Sequence, residues 1–270
     1  MKNFSDKLVL ITGAGSGIGR LLSLELANLG AKLILLDVNF DSIKKVASEI
    51  KSIKSRVWIY KCDLSVKSEI SMVVKEIKKT GKVDILINNV GVVSGKSFLE
   101  ISDKQIETSF NVNLLSFFWL TRSFLPDMIK ENSGHIVNIA SAAGLIGVAG
   151  LSDYSATKFG VFGFNESLRM ELRKKKINGV KTTIVCPYYI NTGMFKGVKS
   201  RFNFLLPILE EKYVCKKVIR SIQKNKEVLI MPQFVKIIPF VRLLPTFLMD
   251  SITELIGISS SMDHFIDRRK

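Results

Sequence analysis

Short, almost continuously apolar runs alternate along the chain with longer segments whose apolar residues recur every three or four positions. The runs at 8–11, 32–36, 57–60, 83–87, 135–139, 182–185 and 227–230 are rich in Val, Ile and Leu. Runs without polar alternation predict strands covered on both faces. Helical patterns fall between them at 18–29, 41–53, 68–79, 103–131 and 152–176, with a further helix near 210–222. Strand and helix in strict succession imply βαβ units and right-handed crossovers. The predicted class is α/β, a doubly wound parallel sheet of about seven strands with helices on both faces. No linker, repeat or low-complexity tract interrupts residues 1–270, so one domain is expected.

Residues 196–270 differ in character. They are expected to supply a substrate-side helix, the last strand and an apolar, basic extension. Three prolines, Pro232, Pro239 and Pro245, rule against one long helix over 231–250.

Composition narrows the function classes. With 47% hydrophobic residues the chain can build a large core. The net charge of +16 raises nucleic acid, anionic membranes and acidic ligands as partners. Yet the lysines are spread over amphipathic helices (Lys44, Lys45, Lys51, Lys54; Lys75, Lys78, Lys79; Lys174 to Lys176), as solvated faces are. No zinc-finger spacing or RNA-binding aromatic motif accompanies them, so no nucleic-acid partner is expected. Cys62, Cys186 and Cys215 are far apart and odd in number, which suggests neither disulfides nor a metal site and fits a reducing compartment. No signal peptide and no apolar stretch of about 18 residues is found, so a cytoplasmic location is expected.

Candidate chemistry begins at Thr12-Gly13-Ala14-Gly15-Ser16-Gly17-Ile18-Gly19, directly after the first strand and opening the first helix. Glycines permit positive φ and let a backbone approach a pyrophosphate, while the helix N-terminus offers free N–H groups. An ordinary glycine turn is the plainer alternative; the strand-to-helix setting favours dinucleotide binding. Asp37 closes the second strand, where a carboxylate accepts from both adenosine ribose hydroxyls and repels a 2′-phosphate. No Lys or Arg follows at once to welcome that phosphate. NAD is expected rather than NADP, unless Asp37 is only a turn residue.

Tyr154 and Lys158 stand four residues apart in a helical pattern and share a face. A tyrosine with a pKa near 10 is a poor base at neutral pH, and a neighbouring ammonium favours its phenolate. A chance pairing on a helix remains the alternative, since Tyr-x-x-x-Lys is a common spacing. Ser141 follows a buried strand, upstream of Tyr154.

Together these segments resemble the short-chain dehydrogenase/reductase family, with its three-layer Rossmann fold. The resemblance runs through Thr12 to Gly19, Asp37, Cys62-Asp63-Leu64-Ser65, Asn88-Asn89-Val90-Gly91, Asn113, Ser141, Tyr154-x-x-x-Lys158 and Cys186-Pro187 to Thr192. It implies that Tyr154 exchanges a proton with the substrate oxygen and that Ser141 hydrogen-bonds that oxygen. Lys158 would tune Tyr154 and hold the nicotinamide ribose, and Asn113, rather than Asn111, would hold a proton-relaying water. Gly13, Ser16, Gly17, Ile18 and Gly19 would bind the pyrophosphate, Asp63 and Leu64 the adenine, and Asn89, Val90 and Gly91 the adenosine. Pro187, Ile190 and Thr192 would meet the nicotinamide. Val90 and Tyr188 depart from the family's usual Ala and Gly and should change fit rather than chemistry. No metal is implied.

Residues 185–195, 117–126 and 261–267 are similar to the branch containing epidermal-type retinol dehydrogenases and lipid-droplet 17β-hydroxysteroid dehydrogenases. That implies a lipophilic alcohol or carbonyl substrate of retinoid, steroid or fatty-chain type. The branch usually begins with a hydrophobic anchor; none precedes the first strand here, so insertion by that route is not expected. The apolar, basic segment 231–250 could instead lie in a membrane interface, cover the substrate cleft or meet a second subunit. The resemblance also implies a homodimer or homotetramer built on the helices at 103–131 and 152–176. His135 and His264 are expected to be structural. Two other functions stay open: a β-ketoacyl reductase of lipid metabolism, and a non-catalytic NAD-binding redox sensor or membrane scaffold.

Overall fold

The computed structural model describes residues 3–53 and 55–266; Lys54, named above, and the last residue of segment 261–267 lie outside them. Seven parallel strands form one sheet: β1 (Leu8–Thr12), β2 (Lys32–Asp37), β3 (Val57–Lys61), β4 (Ile85–Asn88), β5 (Gly134–Ile139), β6 (Val180–Pro187) and β7 (Val228–Met231). Their order is β3-β2-β1-β4-β5-β6-β7. β1, β4 and β5 are buried along their whole length, which explains why their sequences carry no alternation.

Helices cover both faces. α1 (Gly17–Asn28), α2 (Phe40–Ser52) and α7 (Glu211–Gln223) share one core cluster through Leu22, Leu26, Ile43, Ile50, Val218 and Ile222. On the other face, α3 (Lys67–Thr80), α5 (Ser116–Lys130) and α6 (Ser152–Lys174) meet through Val74, Leu120, Phe124, Leu168 and Leu172. The helix expected near 210–222, α7, packs on α1.

The helix predicted over 103–131 is not uniform. α4 (Asp103–Phe110) starts at a Ser102/Gln105 capping box, and a π turn over Asn111–Leu115 joins it to α5. Such turns change the direction of side chains locally. Here Leu114 lies where a Cβ on Gly160 of α6 would come within 2.9 Å, and the side chain of Asn113 faces the loop after β4. No local hydrophobic period reveals this.

Residues 231–250 are broken as the prolines predict, into a 3-10 turn (Gln233–Ile237), α8 (Ile238–Val241) and α9 (Thr246–Leu255). Val235, Ile238 and Ile258 join a third cluster with Phe117, Val161, Ile184 and Leu206. Among the described residues no helix is long and apolar enough to cross a membrane.

Candidate active site

Strand order reverses between β1 and β4, so the connections leaving these strands diverge and leave a crevice at their carboxyl ends. Thr12 Oγ1 ties the two ends together, accepting from Asn89 N at 2.9 Å and Val90 N at 3.0 Å. The Asn89 side chain donates back to the carbonyls of Thr12 (2.9 Å) and Gly13 (3.2 Å). Gly13 has φ +61°, and a Cβ there would sit 3.0 Å from Val90 Cα, so both conformation and space require glycine.

Asp37 is fixed at the end of β2. Its carboxylate accepts from Gly15 N and Asn39 N, both at 2.9 Å. Asn39 in turn caps α2 by accepting from Ser42 N. The acid is thus positioned against the glycine loop, not left as a free turn residue.

The turn after β5 sets Ser141. Its Oγ accepts from Ala143 N at 3.1 Å and also hydrogen-bonds with Tyr154. Gly144, in the same turn, lies where a Cβ would come within 2.6 Å of the Lys158 carbonyl, so α6 approaches this turn closely. Lys158 is buried and donates from Nζ to the Ile139 carbonyl at 3.0 Å. Burial lowers Lys158 to about 8, with neighbouring Cys186 opposing. Burial also pushes the Cys186 thiol up to about 12, so it stays protonated at neutral pH.

Tyr154 is buried, and burial raises its phenol above the ordinary value, against the lowering effect of a hydrogen bond with Ser141. Lys158 Nζ lies 5.5 Å from the Tyr154 ring centre. The direction is opposite to the one the sequence suggested from the neighbouring ammonium, because desolvation of the phenolate is the largest effect here.

A cleft of about 470 Å³ brings together most of the predicted residues: Gly13, Ser16, Gly17, Ile18, Asp37, Asn89, Val90, Gly91, Ser141, Tyr154, Lys158, Pro187, Ile190 and Thr192. Gly19, Asp63, Leu64 and Asn113 do not line it. Gly19 lies under the loop against Gly13, and Leu64 is in the core. Asp63 turns its Oδ1 to Ser65, accepting from its N (2.9 Å) and Oγ (2.7 Å). Asn113 is fully buried and binds the Val92 backbone from behind the cleft.

A second, smaller chamber of about 30 Å³ adjoins this cleft. Ser141, Tyr154, Tyr188 and Phe195 border both spaces. The rest of the chamber is mostly aliphatic, including Ile146, Leu206, Val235, Ile238 and Ile258. Segment 231–250 therefore covers the chamber with its inner side.

Other contributors carried no sequence signal. Buried Asp153, beside Tyr154, accepts from Ser94 Oγ (2.7 Å) and Ser109 Oγ (2.5 Å), linking α6 to the cleft loop and α4. Asn138 accepts from Asn88 at 2.9 Å and donates to Asn165 at 3.0 Å, a buried amide chain across the sheet. Phe265, by contrast, lies within the segment 261–267 that carries part of the resemblance, and it borders the cleft after a long excursion of the chain. His135 is buried in β5 with Nε2 2.8 Å from Thr183 Oγ1, a structural place as expected.

The arrangement resembles known proteins. A family profile described as short chain dehydrogenase matches residues 7–202. The chain is 45% identical over 274 aligned positions to epidermal retinol dehydrogenase 2 of Homo sapiens, covering 100% of this chain and 88% of that one. A short chain dehydrogenase/reductase from Burkholderia phymatum, solved in complex with NAD, superposes with a TM-score of 0.80 at 25% identity, covering 96% of this chain and 98% of that one. A metagenomic short-chain oxidoreductase solved with NADP gives 0.71 at 26% identity, covering 85% and 97%.

Proposed function

Because this chain belongs to the short-chain dehydrogenase/reductase family, we propose that it oxidises a lipophilic alcohol, of retinoid, steroid or fatty-chain type, with NAD. It is an oxidoreductase acting on CH–OH groups. The observation that carries the substrate reading is the shared border at Ser141 and Tyr154. There an apolar chamber meets the cleft built on the glycine loop.

A nicotinamide dinucleotide fits the cleft residues. The Gly13 backbone approaches Val90 too closely for a side chain, leaving main chain to face a pyrophosphate at the N-terminus of α1. Asp37, already held by two backbone N–H groups, presents its carboxylate to the cleft, which favours NAD over NADP. When bound, NAD supplies the hydride acceptor and a positive charge near the buried phenol. Pro187, Ile190 and Thr192 would flank the nicotinamide, and Lys158 would hold its ribose.

Tyr154 takes the proton of the substrate hydroxyl in oxidation and returns it in reduction. Ser141, with Oγ already accepting from Ala143, donates to the substrate oxygen where charge develops. Lys158 lowers the cost of the phenolate. Asn113 keeps the Gly91–Val92 wall in place. Aliphatic side chains beside Ser141 and Tyr154 favour an apolar group on the substrate next to the reacting carbon.

Two copies are proposed to pair through α5 and α6, whose surface carries the stacked rings of Phe118 and Phe164, 4.0 Å between centres, and exposed Met170. Three buried free cysteines fit a reducing compartment such as the cytoplasm.

The test is a panel of retinol, a hydroxysteroid, a medium-chain secondary alcohol and a β-hydroxyacyl thioester, each with NAD and with NADP. Retinol or steroid turnover with NAD is expected to dominate. A preference for the thioester would assign the chain to β-ketoacyl reduction, and no turnover of any member would reject the reading.

A further inference from the structure

Segment 231–250 has two sides. Val235 and Ile238 face inward and wall the apolar chamber. Its outward side leaves Ile237, Phe240, Leu243, Leu244, Phe247 and Leu248 exposed, Phe240 by 72% and Leu243 by 82%. Leu255 and Phe204 are exposed as well, Phe204 by 81%, and the Arg201 side chain packs at Gly257, which brings the 201–204 turn to the end of α9. Scattered apolar side chains are normal on a surface, whereas so many large ones on one short segment mark a docking surface.

We propose that this ridge lies in the interface of an anionic lipid bilayer, so that a lipophilic substrate passes from the bilayer to the chamber across one layer of protein. The function given to the ridge rests on the lipophilic-substrate reading above; the surface itself does not.

Charge selects this occupant over a second copy of the chain. Lys199, Arg201, Lys236 and Arg242 are exposed on the ridge or beside it, against Asp250 and Glu254 on α9, in a chain of net charge +16. Two such faces brought together would juxtapose like charges, whereas anionic headgroups would neutralise them. The form also suits an interface. Pro239 and Pro245 cut the segment into short helical pieces that present Phe and Leu outward without a spanning length. Arg242 anchors the joint between α8 and α9 to the body, donating to the Leu145 carbonyl at 3.0 Å and covering the Phe159 ring at 4.9 Å. Ring and chamber wall thus hold the ridge at a fixed place relative to Tyr154.

The full chain is to be sedimented with vesicles of phosphatidylcholine alone and of phosphatidylcholine with 30% phosphatidylserine, alongside Leu243→Glu/Phe247→Glu and the milder Leu243→Ser/Phe247→Ser. Both variants should keep NADH binding and thermal unfolding close to the parent's. Expected is at least tenfold stronger binding of the parent to the anionic vesicles than of the Glu variant, with the Ser variant between. Equal binding by parent and variants would overturn the proposal. So would absence of vesicle binding by the parent, and a shift from dimer to monomer in the variants would then assign the ridge to a second copy. Vesicle binding without oxidation of retinol or steroid would leave the surface standing and remove the substrate reading instead.

Discussion

Asn113 grips both backbone polar groups of Val92: its amide donates to the Val92 carbonyl at 2.9 Å, and its Oδ1 accepts from the Val92 N–H at 2.7 Å. A π turn in the helix places this side chain, and the gripped loop is one wall of the cofactor cleft. Asn113→Ala leaves these groups without their partner, so a stability loss of about 1–3 kcal/mol is expected. NADH affinity should fall with it. Urea unfolding and a fluorescence titration read both, and unchanged values in both would show that the grip is idle.

Tyr154→Phe removes the oxygen proposed to transfer the proton but keeps the ring packed against Phe195, whose centre lies 5.8 Å away. Turnover should drop by about 10²–10⁴-fold while NADH binding stays within a few-fold. Ser141→Ala should cost about 10²-fold or more in kcat by the loss of one oriented donor. Steady-state kinetics beside a binding titration separates these outcomes. Normal turnover in Tyr154→Phe would falsify its assignment.

In the proposed reading, the charge of Asp37 selects between the two dinucleotides. Asp37→Ser with Val38→Arg removes the carboxylate and supplies a guanidinium at an exposed position. The ratio of kcat/KM for NAD over NADP should invert, by at least tenfold in each direction. An unchanged ratio would mean that another group reads the ribose.

Lys158 gives a pH signature. Its folded value, about 8, lies below the ordinary value of 10.5, so the unfolded chain binds more protons between them. Burying the charged form therefore penalises the fold fully below about pH 8, and the penalty lifts as pH rises toward 10.5. Lys158→Met should raise thermal stability at pH 7, by on the order of 3 kcal/mol at most, and the advantage should shrink toward pH 10.5. Turnover should fall throughout. A melting-temperature difference that did not vary with pH would contradict the buried ammonium.

Much of the fold was legible because both faces of the central sheet are covered, which makes most strands plain apolar runs such as 8–11 or 33–36. The glycine loop, Asp37, Ser141 and the Tyr154/Lys158 pair were legible for a different reason, since each is a local pattern beside a strand end or on one helix face. What stayed hidden depends on partners far away in the chain. The π turn at Asn111–Leu115 answers to Gly160 and Val92, not to its own periodicity. Asp153 reads as an ordinary helix-start acid until Ser94 and Ser109 close on it.

The sequence by itself determined the sheet, the family and the identity of the chemical groups, because these follow from local patterning and short spacings. Only the tertiary structure decided their condition. It set burial against charge at Tyr154 and brought Val235, Ile238 and Ile258 over a chamber that opens on Ser141. It also turned the two sides of segment 231–250 to opposite surroundings. Desolvation and shape depend on everything that packs around a residue, and one segment cannot report on its neighbours.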